Sequence, residues 1–161
     1  RWWPSVTDVD GRSLPQDFDA RDLQGLVLRR FAQLDQAIAA RQWFDPWVFE
    51  MDAQTSPSQT VLPWVAGFAA AMERFPGLMR IDDARLMEPL ALLYLHFDPD
   101  DLEDAQALQD LIDTLEPPAD LGEAVQDIVR SLMLIADVTR PAAPVARPKP
   151  RSCRPHARKS R

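Results

Sequence analysis

Apolar positions recur at helical spacing over most of this chain. The most apolar stretch is Thr60–Phe75, TVLPWVAGFAAAMERF. Its Trp64, Phe68, Met72 and Phe75 fall at steps of three or four, which puts them on one side of a helix. Gly67 and Ala71 are four apart, with Ala66, Ala69 and Ala70 beside them, so a small-residue face is expected to let a second helix approach closely. Thr60 is the expected N-cap, with Pro63 in the first turn, where its missing N–H costs nothing. Pro76-Gly77 is the stop.

Four further segments read as helical. Asp19–Gln42 carries Leu23, Leu26, Val27, Phe31, Leu34 and Ile38 as one stripe, with Asp17 or Asp19 available as the cap. Within 78–97, Asp82 or Asp83 starts a short turn, and Pro89 restarts a helix that turns Leu90, Leu93 and Tyr94 inward. Leu102, Ala105, Leu108, Ile112 and Leu115 form the next stripe, which Glu116-Pro117-Pro118 ends. The last helix is predicted from Asp120, at capping-box distance from Glu123, to about Val138, with Leu121, Ala124, Val125, Ile128, Leu132 and Ile135 inward and Pro141 closing it.

Between these elements, Trp43–Met51 (WFDPWVFEM) gathers four aromatic residues around Asp45-Pro46. Pro46 pushes Asp45 out of the helical region. Such aromatics could stack on bases or on a ligand, but a buried cap over the helices is the simpler expectation. Before the helices, 1–16 reads as an extended arm or a small hairpin around Asp10-Gly11. After them, 141–161 holds five prolines, seven basic residues and almost no apolar bulk, and disorder is expected. The predicted fold class is all-α, a single compact multi-helix bundle over 17–140 with a disordered basic C-terminal tail. The apolar run from Val61 to Met72 is shorter than the roughly 20 residues a bilayer requires.

At 161 residues the chain can bury one proper core. Its net charge of −7 hides a division. Residues 1–140 hold 11 Arg against all 25 Asp and Glu, a formal −14, whereas 141–161 holds seven basic residues and no acid. Partner contact by Arg147, Lys149, Arg151, Arg154, Arg158 and Lys159 follows, or a tail folded back on its own body. No charged n-region and apolar h-region opens the chain, so no signal peptide is expected. A single Cys153 fits a reducing cytoplasm.

Reactive chemistry is sparse. Asp8, Asp10, Gly11 and Asp17 can be laid on a calcium loop only with Val6 in the first ligand position, so a turn is the better reading. His96 and the carboxylates from Asp98 to Asp104 could form an acid–base or metal cluster. A His at a helix end and acids in a first turn are explained equally well by the helix dipole. Cys153 and His156 are the only soft ligands in the tail, two where zinc takes four.

The segments TVLPWVAGFAAAMERFP, RLMEPLALLYLHFDPDDLED and ARQWFDPWVFEMD resemble the YecA/YgfB-like family of bacterial proteins over roughly 20–140. The carrying pattern is Trp64 with Gly67-Phe68, then Pro89-Leu90, and Ala71 continues the same face; these are packing residues. The resemblance implies an all-helical, uncharacterised protein. Many such proteins end in a Cys-rich tail like that of the SecA translocase ATPase, which binds zinc or iron; this tail departs from that motif. A non-enzymatic, cytoplasmic protein-interaction module without a cofactor is therefore expected. The resemblance would link it to protein export or nascent-chain handling. The alternatives are a metal-binding tail, an enzyme with a site near His96 and Asp98, and RNA or ribosome contact through the tail.

Overall fold

The computed structural model describes residues 19–50, 52, 54–99, 102 and 106–141. All regular structure among them is helical. The helices are α1 (Arg21–Ala39), α2 (Pro57–Arg74), α3 (Met87–Tyr94), α4 (Gln106–Ile112) and α5 (Leu121–Thr139). Two 3₁₀ turns, Leu78–Arg80 and Ala84–Leu86, join α2 to α3. No helix among the described residues is long and apolar enough to cross a membrane. The arm, the tail, the acidic positions 100, 101, 103 and 104, and Ala105 of the predicted stripe lie outside the described residues.

The core is assembled on α5. Asp120 caps it, its Oδ1 accepting from Glu123 N–H at 2.9 Å. Glu123 turns its carboxylate to Ala119 N–H at 2.6 Å, so a second orphan donor is satisfied one residue earlier than a capping box would place it. Ala124, Ile128 and Ile135 then enter a buried cluster with Val61 and Val65 of α2, and with Leu86 and Leu93 around α3. Fully burying a residue such as Ile128 or Leu93 contributes about 1.5–3 kcal/mol. Pro89 is buried in the first turn of α3, where it loses no helical hydrogen bond. Leu90 and Tyr94 are half-buried against the cluster.

In α2 the start lies earlier than Thr60. Ser56 is the N-cap and Gln59 completes a capping box with it, at 3.2 Å in both directions, while Pro57 takes the first helical position. Thr60 instead bonds its hydroxyl back to Ser56 C=O at 3.1 Å, and Pro63 stands inside the helix. The buried side of α2 is Val61, Val65 and Met72, with Trp64 and Phe68 half-buried against the core. The small-residue face is corrected by this arrangement. Gly67 and Ala71 are exposed, and among the described residues nothing lies within 4 Å of a Cβ built at Gly67. The physical reason is that branched and aromatic side chains gain more from burial than glycine and alanine do.

The first helix also differs from expectation. It spans Arg21–Ala39 with Ala20 at the N-cap position, and Asp19, one residue earlier, accepts from the Arg21 backbone N–H at 3.1 Å as well as from its guanidinium at 2.6 Å. None of its residues is buried. Its C-terminal end is tied to α5 by polar contacts. Arg41 lies 2.6 Å from Asp137 and donates to Arg140 C=O at 2.8 Å, while Arg140 reaches Asp35 at 2.5 Å.

Candidate functional site

Because α1 meets α5 mainly through its end, half of its apolar stripe is exposed and the rest is half-buried. Leu23 is 38% exposed, Leu26 55% and Phe31 54%. Together with Val27, Leu34 and Trp47 they line a groove of about 750 Å³. Arg29, Arg30 and Gln33 supply its polar lining, and among the described residues no carboxylate lines it.

One wall of the groove is built by the Asp45-Pro46-Trp47 turn. Pro46 is buried and anchors the loop. Trp47 adopts φ 60°, in the left-handed region, which for a bulky L-residue costs on the order of 1–3 kcal/mol. Three contacts hold it there. Its N–H donates to Asp45 Oδ1 at 2.8 Å. The Arg30 guanidinium donates to Asp45 C=O and also lies 4.1 Å over the Trp47 ring. A cation on an indole face is favourable by about 0.5–1 kcal/mol at an exposed site. The ring is thereby braced by α1 while staying 54% exposed. Of the buried aromatic cap expected over 43–51, Phe44 is buried among the described residues, with Pro46 buried and Val48 half-buried beside it, whereas Trp43 and Phe49 are 65% and 79% exposed.

The other candidate chemistry is weaker. His96 is buried, and its Nδ1 lies 3.1 Å from Ser58 Oγ. Burial lowers its pKa from 6.5 to about 4, so the ring is neutral at pH 7. A neutral imidazole cannot act as the dipole-stabilised cation expected at that helix end. Its Nε2 meets no hydrogen-bond partner among the described residues, so the third, orienting group of a nucleophilic triad is missing there. No grouping of three His, Cys, Asp or Glu suited to a metal occurs among the described residues. A second cleft of about 550 Å³ lies between Trp43 and α5, lined by Arg41, Glu123, Asp127 and Arg130. Burial, and then the neighbouring Glu123 charge, raise the pKa of Asp127.

Among the residues singled out by the sequence, Trp64 and Phe68 stack at 6.1 Å with planes 9° apart. Pro89 is buried, whereas Gly67 and Ala71 are exposed. Cys153, His156 and the basic residues Arg147, Lys149, Arg151, Arg154, Arg158 and Lys159 lie outside the described residues. The sequence reading missed Arg30, Asp45 and Trp47 as a unit. The available signal was an Asp-Pro-Trp turn following a helix whose midpoint carries two adjacent arginines.

No protein-family model, no curated protein and no solved structure matches this chain.

Proposed function

We propose that this chain is a non-enzymatic protein-interaction module whose α1 groove takes a peptide segment with bulky apolar side chains flanked by carboxylates. The observation that carries the reading is the braced Trp47, held in a strained backbone conformation beside exposed Leu26 and Phe31. Strain of that kind persists where surrounding contacts maintain it, and it concentrates at ligand clamps. Tryptophan and arginine are also the side chains that most often dominate binding energy at interfaces. Arg29 and Arg30 choose the sign of the occupant's charge. Although residues 1–140 are acidic as a whole, charges beyond a Debye length of about 8–10 Å are screened, and the local pair decides.

Family membership and cellular setting belong to the same proposal. The Trp64, Gly67-Phe68 and Pro89-Leu90 pattern supports a YecA/YgfB-like protein of the cytoplasm, near protein export or nascent-chain handling. The docking surface is assigned to α1 rather than to the basic tail.

The test uses a fluorescein-labelled amphipathic helical peptide of about four turns, with leucines at i, i+3, i+4 and i+7 and glutamates elsewhere. Polarisation is expected to rise saturably with the protein. Binding should weaken at least about tenfold, or 1.4 kcal/mol, with Leu26→Asp or when lysines replace the glutamates. Leu26 is more than half exposed, so the substitution leaves the core alone. Equal binding by the Leu26→Asp protein, or no binding by the parent, overturns the proposal.

A further inference from the structure

We infer that the cleft between Trp43 and α5 is a second binding site, which takes the guanidinium of a partner's arginine side chain between the Trp43 indole and the Asp127 carboxylate. This site stands independently of the α1 groove.

The cleft is built by the way α1 ends. Gln42 N–H donates to Ala37 C=O at 2.8 Å and Arg41 N–H to Ile38 C=O at 3.1 Å, the bonding of a Schellman turn. Such a turn usually places a glycine in the left-handed region; here Arg41 occupies it, at φ 54°. The Arg41 side chain fastens that conformation by donating to Ile38 C=O, Asp137 and Arg140 C=O. The reversal brings Trp43 to α5 beside Glu123, Gln126, Asp127, Arg130 and Met133. Those positions recur at steps of three or four and share one face of the helix.

Charge decides the sign of the occupant. The resident guanidiniums are already committed, Arg41 to Asp137 at 2.6 Å and Arg130 to Glu88 of α3 at 3.2 Å. Asp127 lies three residues before Arg130, within reach of an ion pair along a helix, yet Arg130 turns to α3. Among the described residues Asp127 makes no hydrogen bond or ion pair. With these partners included, two guanidiniums stand against four carboxylates: Glu123, Asp127, Asp137 and Glu88. Burial and then the Glu123 charge raise the pKa of half-buried Asp127, and Arg130 opposes them only in part. A cation entering the cleft offsets that repulsion.

The aromatic wall decides the kind of cation. Trp43 is 65% exposed, and among the described residues no ring or cation lies on its indole. A guanidinium is planar and weakly hydrated, so it stacks on an indole while forking onto a carboxylate. An ammonium is a compact, strongly hydrated charge. The fold already makes such a stack once, with Arg30 at 4.1 Å over Trp47. Val129 and Met133 give the alkyl stem of the guest an apolar floor. At about 550 Å³ the cleft accommodates a whole side chain with its backbone. The surplus of carboxylates disfavours the α-carboxylate of free arginine, so the source is a residue within a peptide.

The experiment follows the tryptophan indole N–H signals of the isotope-labelled full chain by NMR during titration with N-acetyl-arginine amide. Trp43→Phe assigns the Trp43 signal, which is expected to shift saturably in the parent protein. N-acetyl-lysine amide should bind at least about fivefold more weakly. N-acetyl-citrulline amide, a neutral isostere, should leave the signal in place. These comparisons need only the parent protein, so they hold whether or not a variant folds. Asp127→Asn should weaken arginine binding at least about tenfold, through loss of a charge-assisted hydrogen bond. Asp22→Asn, an exposed acid in the first turn of α1, should not, which separates the cleft from the general acidity of the body. The inference is overturned by any of four results: no saturable shift, an equal response to lysine or citrulline, tighter binding of free arginine, or unchanged affinity in the Asp127→Asn protein.

Discussion

α1 and α5 are both 19 residues long and both carry an apolar stripe at helical spacing, yet they play opposite parts. α5 buries Ala124, Ile128, Val129, Ser131, Ile135 and Ala136, with α2 and α3 packed on it. α1 buries no residue and is fastened at one end by Arg41, Asp137, Asp35 and Arg140. Amphipathicity therefore specifies that a helix has a face to cover. It does not specify whether the cover comes from the fold or from another segment. In this molecule the helix with the covered face builds the core, while α1 leaves Leu23 and Leu26 exposed.

The sharpest way to break that comparison is to truncate one aliphatic residue on each helix. Ile128→Ala should cost about 2–5 kcal/mol of stability, because Ile128 is fully buried and leaves a cavity. Leu26→Ala should stay within about 0.5 kcal/mol, as surface changes do. Urea unfolding measures both. A large loss at Leu26 would mean that the α1 stripe belongs to the core after all.

Acid tests the core from its edge. The folded pKa of His96, about 4, lies below its ordinary 6.5, so the fold favours the neutral ring. Above pH 6.5 both states are neutral and this contribution is complete. As pH falls from 6.5 to about 4 the unfolded chain takes up a proton that the folded one refuses, and stability declines. His96→Gln should flatten that stretch of the stability profile. The Arg85-paired carboxylate of Asp83 acts in a lower window, because its pKa is depressed from 3.8 to about 2 and its contribution is lost only as pH falls through that range. An unchanged profile between pH 6.5 and 4 in the His96→Gln protein would contradict the burial of this ring.

Two smaller effects sharpen the boundary between open and covered faces. Gly67→Ala should raise stability by about 0.5–1 kcal/mol, since Gly67 sits in a helix interior with open space around its Cβ position. A loss would reveal a helix packed on that face. Arg41→Ala should lower stability by about 0.5–1 kcal/mol, the worth of an exposed ion pair, and should loosen α1 from α5 in hydrogen exchange.

Much of the scaffold was readable beforehand. Asp120 with Glu123, the Pro76-Gly77 stop, the Pro89 restart and the inward set Ala124, Ile128 and Ile135 are local signals with local physical causes, and the fold honours them. The misreadings share a cause of a different kind. Gly67 and Ala71 could form a close-packed face only if a helix came to them, and Val61, Val65 and Met72 took the packing instead. Ser56-Pro57-Ser58-Gln59 outcompeted Thr60 as a helix start because its capping box satisfies two backbone donors at once. Trp47 was placed among buried aromatics because its left-handed backbone depends on Asp45 and on Arg30, and the latter lies 17 residues away.

The amino-acid order by itself determined where helices form, where they stop and which residues on each are apolar, because those properties arise between neighbours three or four positions apart. Only the tertiary arrangement decided which apolar faces meet. It directed α2, α3 and α5 toward one another, left Leu23, Leu26 and Trp47 exposed, and buried His96 in its neutral form. Those outcomes depend on competition among surfaces distant in the chain, and burial goes to the combination that removes the most apolar area from water.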